Sequence, residues 1–163
     1  MTINDRSSTE RVVAPRAPRA VILLRLAIAF VFITEGIQKF TSPEALGAGR
    51  FAKIGIPAPE VLAPFVGGVE IVGGALVLIG LLTRLAALAL MIDMIVAIIS
   101  TKLPILLGHG FWHFPEPTGH TGFWAMAHEA RTDISMLLGC ALLVVIGPGS
   151  MSRDGRGEPT PHA

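Results

Sequence analysis

Residues 61–82 read VLAPFVGGVEIVGGALVLIGLL. At ~1.5 Å per residue, a helix of this length spans the ~30 Å hydrocarbon core of a bilayer. Gly67, Gly68, Gly73, Gly74 and Gly80 mark a surface where helix backbones approach closely in a membrane. Glu70 lies three residues from Gly67 and Gly73 and four from Gly74. It therefore sits on or beside the glycine face and points at neighbouring helices rather than at lipid. A charge at membrane depth costs at least ~2.5–3.5 kcal/mol on insertion scales, so it turns inward, pairs, or holds a proton. Glu70 has no basic neighbour within a turn of its own helix, which leaves Lys39 or Arg131 to reach it. The alternative for Glu70 is a structural hydrogen bond between helices.

The same pattern recurs on either side. Val21–Phe40, Leu85–Leu103 and Phe123–Ile146 are three further apolar runs, carrying Glu35, Asp93, and Glu129 with Asp133. The chain of 163 residues is 52% hydrophobic, and its mean hydropathy is +0.64. Four such runs leave no room for a separate soluble domain. The expected fold is all-α, a four-helix transmembrane bundle with both termini cytoplasmic. Residues 20–148 form the membrane domain, between polar tails at 1–19 and 149–163 that are expected to be disordered. A cleaved signal peptide is the competing reading of the first run, but the run is longer than an h-region and no small-x-small site follows it.

Charge distribution sets the orientation. Four crossings place both termini on one side, together with Arg6, Arg11, Arg16, Arg19, Arg25, Arg84, Arg153 and Arg156. The other side carries Lys39, Arg50, Lys53, Lys102 and Arg131. The larger set clusters around the first helix, so that side is expected to be cytoplasmic, in a bacterial inner membrane. Arg25 lies one turn inside and is expected to snorkel to the interface. The basic tail is read as lying beside anionic lipid, not as binding nucleic acid. The single cysteine, Cys140, cannot form a dithiol pair and is read as a packing residue.

The connections are short. Ser42-Pro43-Glu44 reads as a helix start, with a short interfacial helix through Phe51, and Gly55 to Pro59 turns the chain back. Leu82-Thr83-Arg84 makes a tight hairpin with Arg84 at the surface. Helix 3 ends near Lys102-Leu103-Pro104. Residues 105–122 lie at the outer interface, where Trp112 is at home. Gly147-Pro148-Gly149 stops the last helix.

At ~1.5 Å per residue, Glu35 lies about 8 Å below the outer end of its helix, and Glu70, Asp93 and Asp133 about 12–15 Å below theirs. Glu129 is shallower. All five acids fall in the outer half, which points to a polar cavity opening outward. Glu35 and Lys39 are four apart and can pair, closing the outer end of helix 1 or leaving Lys39 to face an anionic or carbonyl ligand. Glu129 and Asp133 share a face, whereas Arg131 points away from both and needs a partner among Glu35, Glu70 and Asp93. The bland alternative for this run is a charged first turn suited to the helix dipole.

His109, His113, His120 and His128 offer a metal reading. The loop holding them gives no helical presentation and no cysteine joins them, so no metal is assigned. No axial pair for haem lies within the helices. No phosphate loop, nucleophile elbow or metalloprotease motif is present.

Arg25, Gly36-x-x-Lys39-Phe40, Gly55-Ile56-Pro57, Glu70-x-x-Gly73-Gly74-x-Leu76-x-Leu78-x-Gly80-Leu81-x-Thr83-Arg84 and the closing Gly147-Pro148-Gly149-Ser150-Met151-Ser152-Arg153-Asp154 together resemble the DoxX family of small four-helix membrane proteins. The resemblance covers about residues 21–154. Glu129 matches a family glutamate, while His128 and Arg131 depart from its pattern. The family takes its name from a subunit associated with a terminal quinol oxidase and thiosulfate oxidation. The resemblance implies an accessory subunit beside a membrane or peripheral redox partner, with quinone as the ligand class. In that reading Lys39 and Arg131 donate to quinone oxygens, Glu129 and Asp133 complete the ligand site, and Glu35, Glu70 and Asp93 carry protons. The alternatives are a non-catalytic scaffold or assembly protein, whose buried charges fix helix register, and a small-solute transporter. The latter would need a homo-oligomer to supply a pathway, since no inverted repeat or broken helix is visible.

Overall fold

The computed structural model describes residues 19–149 and 152–154, and these are all-helical. The elements are α1 (Val21–Thr41), α2 (Pro43–Leu46), α3 (Ala48–Lys53), α4 (Pro59–Ile79), α5 (Thr83–Ala97), a π-helical turn (Ile98–Lys102), α6 (Leu103–Leu107) and α7 (Phe123–Ile146). Among the described residues, three helices are long and apolar enough to cross a membrane: α1, α4, and the continuous rod Thr83–Leu107. The last long helix, α7, is more polar over its first three turns and packs along α5. The N-terminal arginines Arg6, Arg11 and Arg16, and Arg156, lie outside the described residues.

Pairing follows the small residues. α1 packs most extensively along α4. A Cβ on Gly36 would stand 2.7 Å from Gly67 O, so only glycine at this crossing lets the two backbones meet. The apolar core gathers Ile28, Phe32, Val77, Ala87, Leu90, Cys140 and Leu143 at the end nearer the chain termini. Outside it, Leu23, Phe30, Val61, Phe65, Leu85, Leu138 and Val145 stand exposed. An apolar surface this continuous is what a lipid-facing exterior requires.

The helix ends depart from the sequence expectation in instructive ways. α4 stops at Ile79, three residues early, because Gly80 adopts a left-handed φ of 70°. Leu81 N–H donates to Leu76 O and Gly80 N–H to Val77 O, a Schellman closure. α5 starts early, at Thr83, because the C-terminal segment caps it. Asp154 Oδ1 accepts from Leu82 N–H at 2.9 Å, and Oδ2 accepts from Thr83 N–H at 2.9 Å and its hydroxyl at 3.0 Å. Asp154 N–H returns a bond to Gly80 O at 3.0 Å. Residues 152–154 are therefore ordered, against the expectation for the tail.

Arg25 does not snorkel. It is 2% exposed, and its guanidinium donates to Val77 O at 2.8 Å, Leu78 O at 2.6 Å and Pro148 O at 3.2 Å. Two of these are last-turn carbonyls of α4, which have no partner within the helix. A fork of N–H donors suits this three-point contact, and a nearby backbone satisfies it better than the interface does.

Asp154 lies outside the spans. Burial alone raises its pKa, but the bonds from Thr83 and Leu82 and the charge of Arg25 outweigh this and hold the carboxyl below its ordinary value. A depressed folded-state pKa contributes stability that is present above the unfolded value and lost as pH falls through the folded one. The melting-temperature gap between wild type and Asp154→Asn is expected to be constant near neutral pH and to close as pH falls below about 4. A gap of unchanged size in acid would show that the charge of Asp154 is not what latches the hairpin.

The third rod runs on past Lys102 to Leu107 instead of ending there. The π turn accommodates Pro104, which lacks an N–H and whose ring crowds the preceding turn. Two hydroxyls bond one carbonyl at the start of the turn: Thr101 Oγ1 donates to Ala97 O at 2.6 Å and Ser100 Oγ to the same oxygen at 3.3 Å. The following loop exposes Trp112, and Trp124 is exposed at the start of α7.

Candidate functional site

The half of the molecule away from the apolar core is hollow. A cavity of about 530 Å³ lies between α1, α3, α4, α5, the π turn and α7. Its polar wall holds Glu35, Lys39, Arg50, Glu70, Asp93, Lys102, Glu129 and Asp133, and its apolar wall holds Val31, Phe32, Phe65, Met94, Val96 and Met136. Seven of these polar residues come from four separate long elements, so the site exists only once the helices pack. A wider outer vestibule of about 970 Å³, lined by the 115–120 loop with Arg50, Lys53, His120 and His128, shares Ser100, Thr101, Lys102 and Glu129 with the cavity.

The Gly36–Gly67 crossing builds the deepest part. Lys39 lies one turn beyond Gly36, and Glu70 one turn beyond Gly67, so close backbones bring the two side chains together. Lys39 Nζ donates to Glu70 Oε1 at 2.8 Å and lies 2.6 Å from Oε2. The Glu70 side chain is 3% exposed. The within-helix pair of Glu35 with Lys39 is not formed. Packing gives the ammonium a buried carboxylate from another helix, and Glu35 remains exposed on the cavity rim. The Asp93 carboxyl lines the same cavity as that of Glu70, and Asp93 Oδ2 and Glu70 Oε2 are both buried without a hydrogen-bond partner among the described residues.

On the opposite wall, Lys102 faces Asp133 Oδ2 at 3.6 Å and Glu129 Oε2 at 3.9 Å. The sequence reading placed Lys102 at the outer surface and gave it no role. The signal that could have found it is Pro104, whose disturbance of the helix turns Lys102 inward. Arg131 is not brought to the cavity. Two positions from both Glu129 and Asp133, it points to the far side of α7, where it is exposed and donates to the His128 ring at 2.7 Å.

The histidines remain apart. His109 Nδ1 bonds Gly110 O at 2.7 Å, the His113 ring meets Trp112 edge-on and Phe114 at a tilt, and His120 and His128 line the vestibule. Among the described residues, no group of three or more His, Cys, Asp or Glu side chains is placed to hold a metal ion. Cys140, the single cysteine, is buried in the apolar core.

The family model described as DoxX matches residues 20–103, which carry α1 through the π turn, with Lys39, Glu70, Asp93 and Lys102. The chain belongs to the DoxX family. Its similarity to the "Uncharacterized membrane protein Rv3486" of Mycobacterium tuberculosis is 52% identity over 149 residues, covering 91% of this chain and 88% of that one. It is also 34% identical over 82 residues to the "Putative oxidoreductase CatD" of Bacillus subtilis, covering 50% of this chain and 59% of that one. No solved structure matches. This DoxX protein is thus a membrane protein with several apolar helices. Tertiary contacts gather residues far apart in the chain: Arg25, Gly80, Thr83, Pro148, Ser152 and Asp154 meet at one latch, while Gly36, Lys39 and Glu70 meet at one crossing.

Proposed function

We propose that this DoxX protein is an accessory subunit of a quinone-linked membrane redox system. The observation that carries the reading is a cavity with one apolar wall and one wall of lysines and carboxyls. A quinone needs such a slot, with a few polar groups to fix its oxygens. Phe65 and Val96 line the cavity and are also exposed on the outer apolar surface, which suits a lipid-soluble ligand entering from the bilayer. Oxidation of a quinol to a quinone releases two protons and two electrons. Glu70, Asp93 and Glu35 would be the acceptors for the two protons, and a membrane or peripheral redox partner would take the two electrons. The name printed for the Bacillus subtilis relative supports a redox setting.

The same proposal includes the topology. Ile134, Leu138, Leu142 and Val145 form an exposed apolar stripe along α7, which supports a fourth crossing. Four crossings put both termini on one side, and Arg19, Arg84 and Arg153 favour the cytoplasmic face of a bacterial inner membrane.

A scaffold is the second reading. Its supporting observation is the Lys39–Glu70 pair, which ties α1 to α4 and spends both charges on structure. Solvent extraction of gently purified protein, followed by chromatography for bound quinone, separates the two. Wild type is expected to carry quinone near one per chain and Glu70→Gln to lose most of it while still folding. Wild type free of quinone would leave the scaffold reading in place.

A further inference from the structure

Two lysines are buried at the cavity, and they differ in what their donors do. Lys39 is committed to Glu70 at 2.8 Å and 2.6 Å. Lys102, whose side chain is only 10% exposed, has Asp133 at 3.6 Å and Glu129 at 3.9 Å. Those separations balance its charge but are too long for hydrogen bonds. An ammonium carries three N–H donors. Among the described residues, no protein acceptor takes any of them.

Position adds a second argument. Lys102 closes the π turn, and such turns occur frequently at functional sites. It lines both the inner cavity and the outer vestibule, so it stands where the two meet. Asp133 and Glu129 hold the ammonium in place without consuming its donors. Lys102 Nζ faces the open cavity, where its N–H donors can reach a ligand oxygen.

We propose that Lys102 is the head-group donor of this site, giving a hydrogen bond to a ring oxygen of a bound quinone or quinol. This rests on the quinone-linked reading above, and it replaces Arg131, which faces away from the cavity. Lys39 stays with Glu70 on the other wall. A positive donor at the oxygen favours the ligand form with more negative charge there, so Lys102 also selects for oxygen-bearing rings over hydrocarbon ones.

The test uses the full chain in lipid nanodiscs. Equilibrium dialysis measures the affinity for a decyl-substituted 1,4-benzoquinone and for the matching alkylbenzene without oxygens. Lys102→Met is expected to weaken benzoquinone binding about ten- to hundredfold, the worth of one charge-assisted hydrogen bond, and to leave alkylbenzene binding unchanged. Equal benzoquinone affinity in wild type and Lys102→Met overturns the proposal, and means that water takes the lysine donors. Wild type binding benzoquinone no better than alkylbenzene removes the quinone-linked reading itself, and the role of Lys102 with it. Where Lys102→Met fails to fold, Lys102→Arg and Lys102→Gln carry the comparison: arginine keeps affinity within a few fold, and glutamine loses most of it. Equal affinities for that pair also overturn the proposal.

Discussion

Glu70→Ala is expected to destabilise the protein by about 3 kcal/mol, the lower end of what breaking a buried ion pair costs. The carboxylate is 3% exposed and accepts from Lys39 through Oε1, with Oε2 2.6 Å from the same ammonium. Its removal strands an ammonium between two helices with little access to solvent. Asp93 lies within reach and recovers part of the pairing, which is why the loss is not larger. Adding Asp93→Asn takes that recovery away and brings the loss to about 5 kcal/mol. Removing both partners instead, as Lys39→Met with Glu70→Leu, returns most of the stability, since no charge is left uncompensated. A double-mutant cycle by thermal or chemical unfolding in nanodiscs measures the coupling directly. Single and double variants that melt with wild type would show that the pair does not hold α1 to α4.

Arg25→Ala is the second large effect. Leu78 O and Pro148 O lose the donor that Arg25 supplies, while Val77 O keeps the Gly80 N–H. A buried group left unsatisfied costs about 1–3 kcal/mol, so the expected loss is about 3 kcal/mol. Arg25→Lys does not rescue it. A compact ammonium cannot reach Val77, Leu78 and Pro148 together, because it lacks the planar fork that spreads five donors. The lysine variant is expected to recover less than half of the loss in the same unfolding assay. Because Arg25 also sits beside Asp154, Arg25→Ala and Asp154→Asn should be less than additive. Arg25→Ala within about 0.5 kcal/mol of wild type would mean that water reaches the freed carbonyls and the latch is dispensable.

These two clusters divide the molecule by task. Arg25, Gly80, Thr83 and Asp154 tie the α4–α5 hairpin to the end of the chain and close the end that holds the apolar core. Lys39, Glu70, Asp93 and Lys102 lie in the hollow half, where the helices leave room for a ligand. Rigidity at one end supports a shaped cavity at the other.

The sequence by itself determined the long helices and their inward charges. Val21–Phe40 and Phe123–Ile146 are read almost to the residue, because length and apolar content suffice where no distant contact competes. The glycine face of residues 61–82 pointed Glu70 inward for the same reason: in a membrane, small residues and a buried charge have one low-cost direction to face. Only the tertiary structure decided the partners. Glu35 is the nearer acid to Lys39 along the chain, yet Glu70 wins because the Gly36–Gly67 crossing brings a desolvated carboxylate alongside, and a desolvated pair is stronger than an exposed one. The start of α5 depends on Asp154, 71 residues from Thr83 along the chain. Lys102 read as a surface residue until the π turn rotated it inward against Asp133 and Glu129. Local pattern fixes which residues must be buried, but which buried groups meet depends on helix crossings and phase shifts that no single segment encodes.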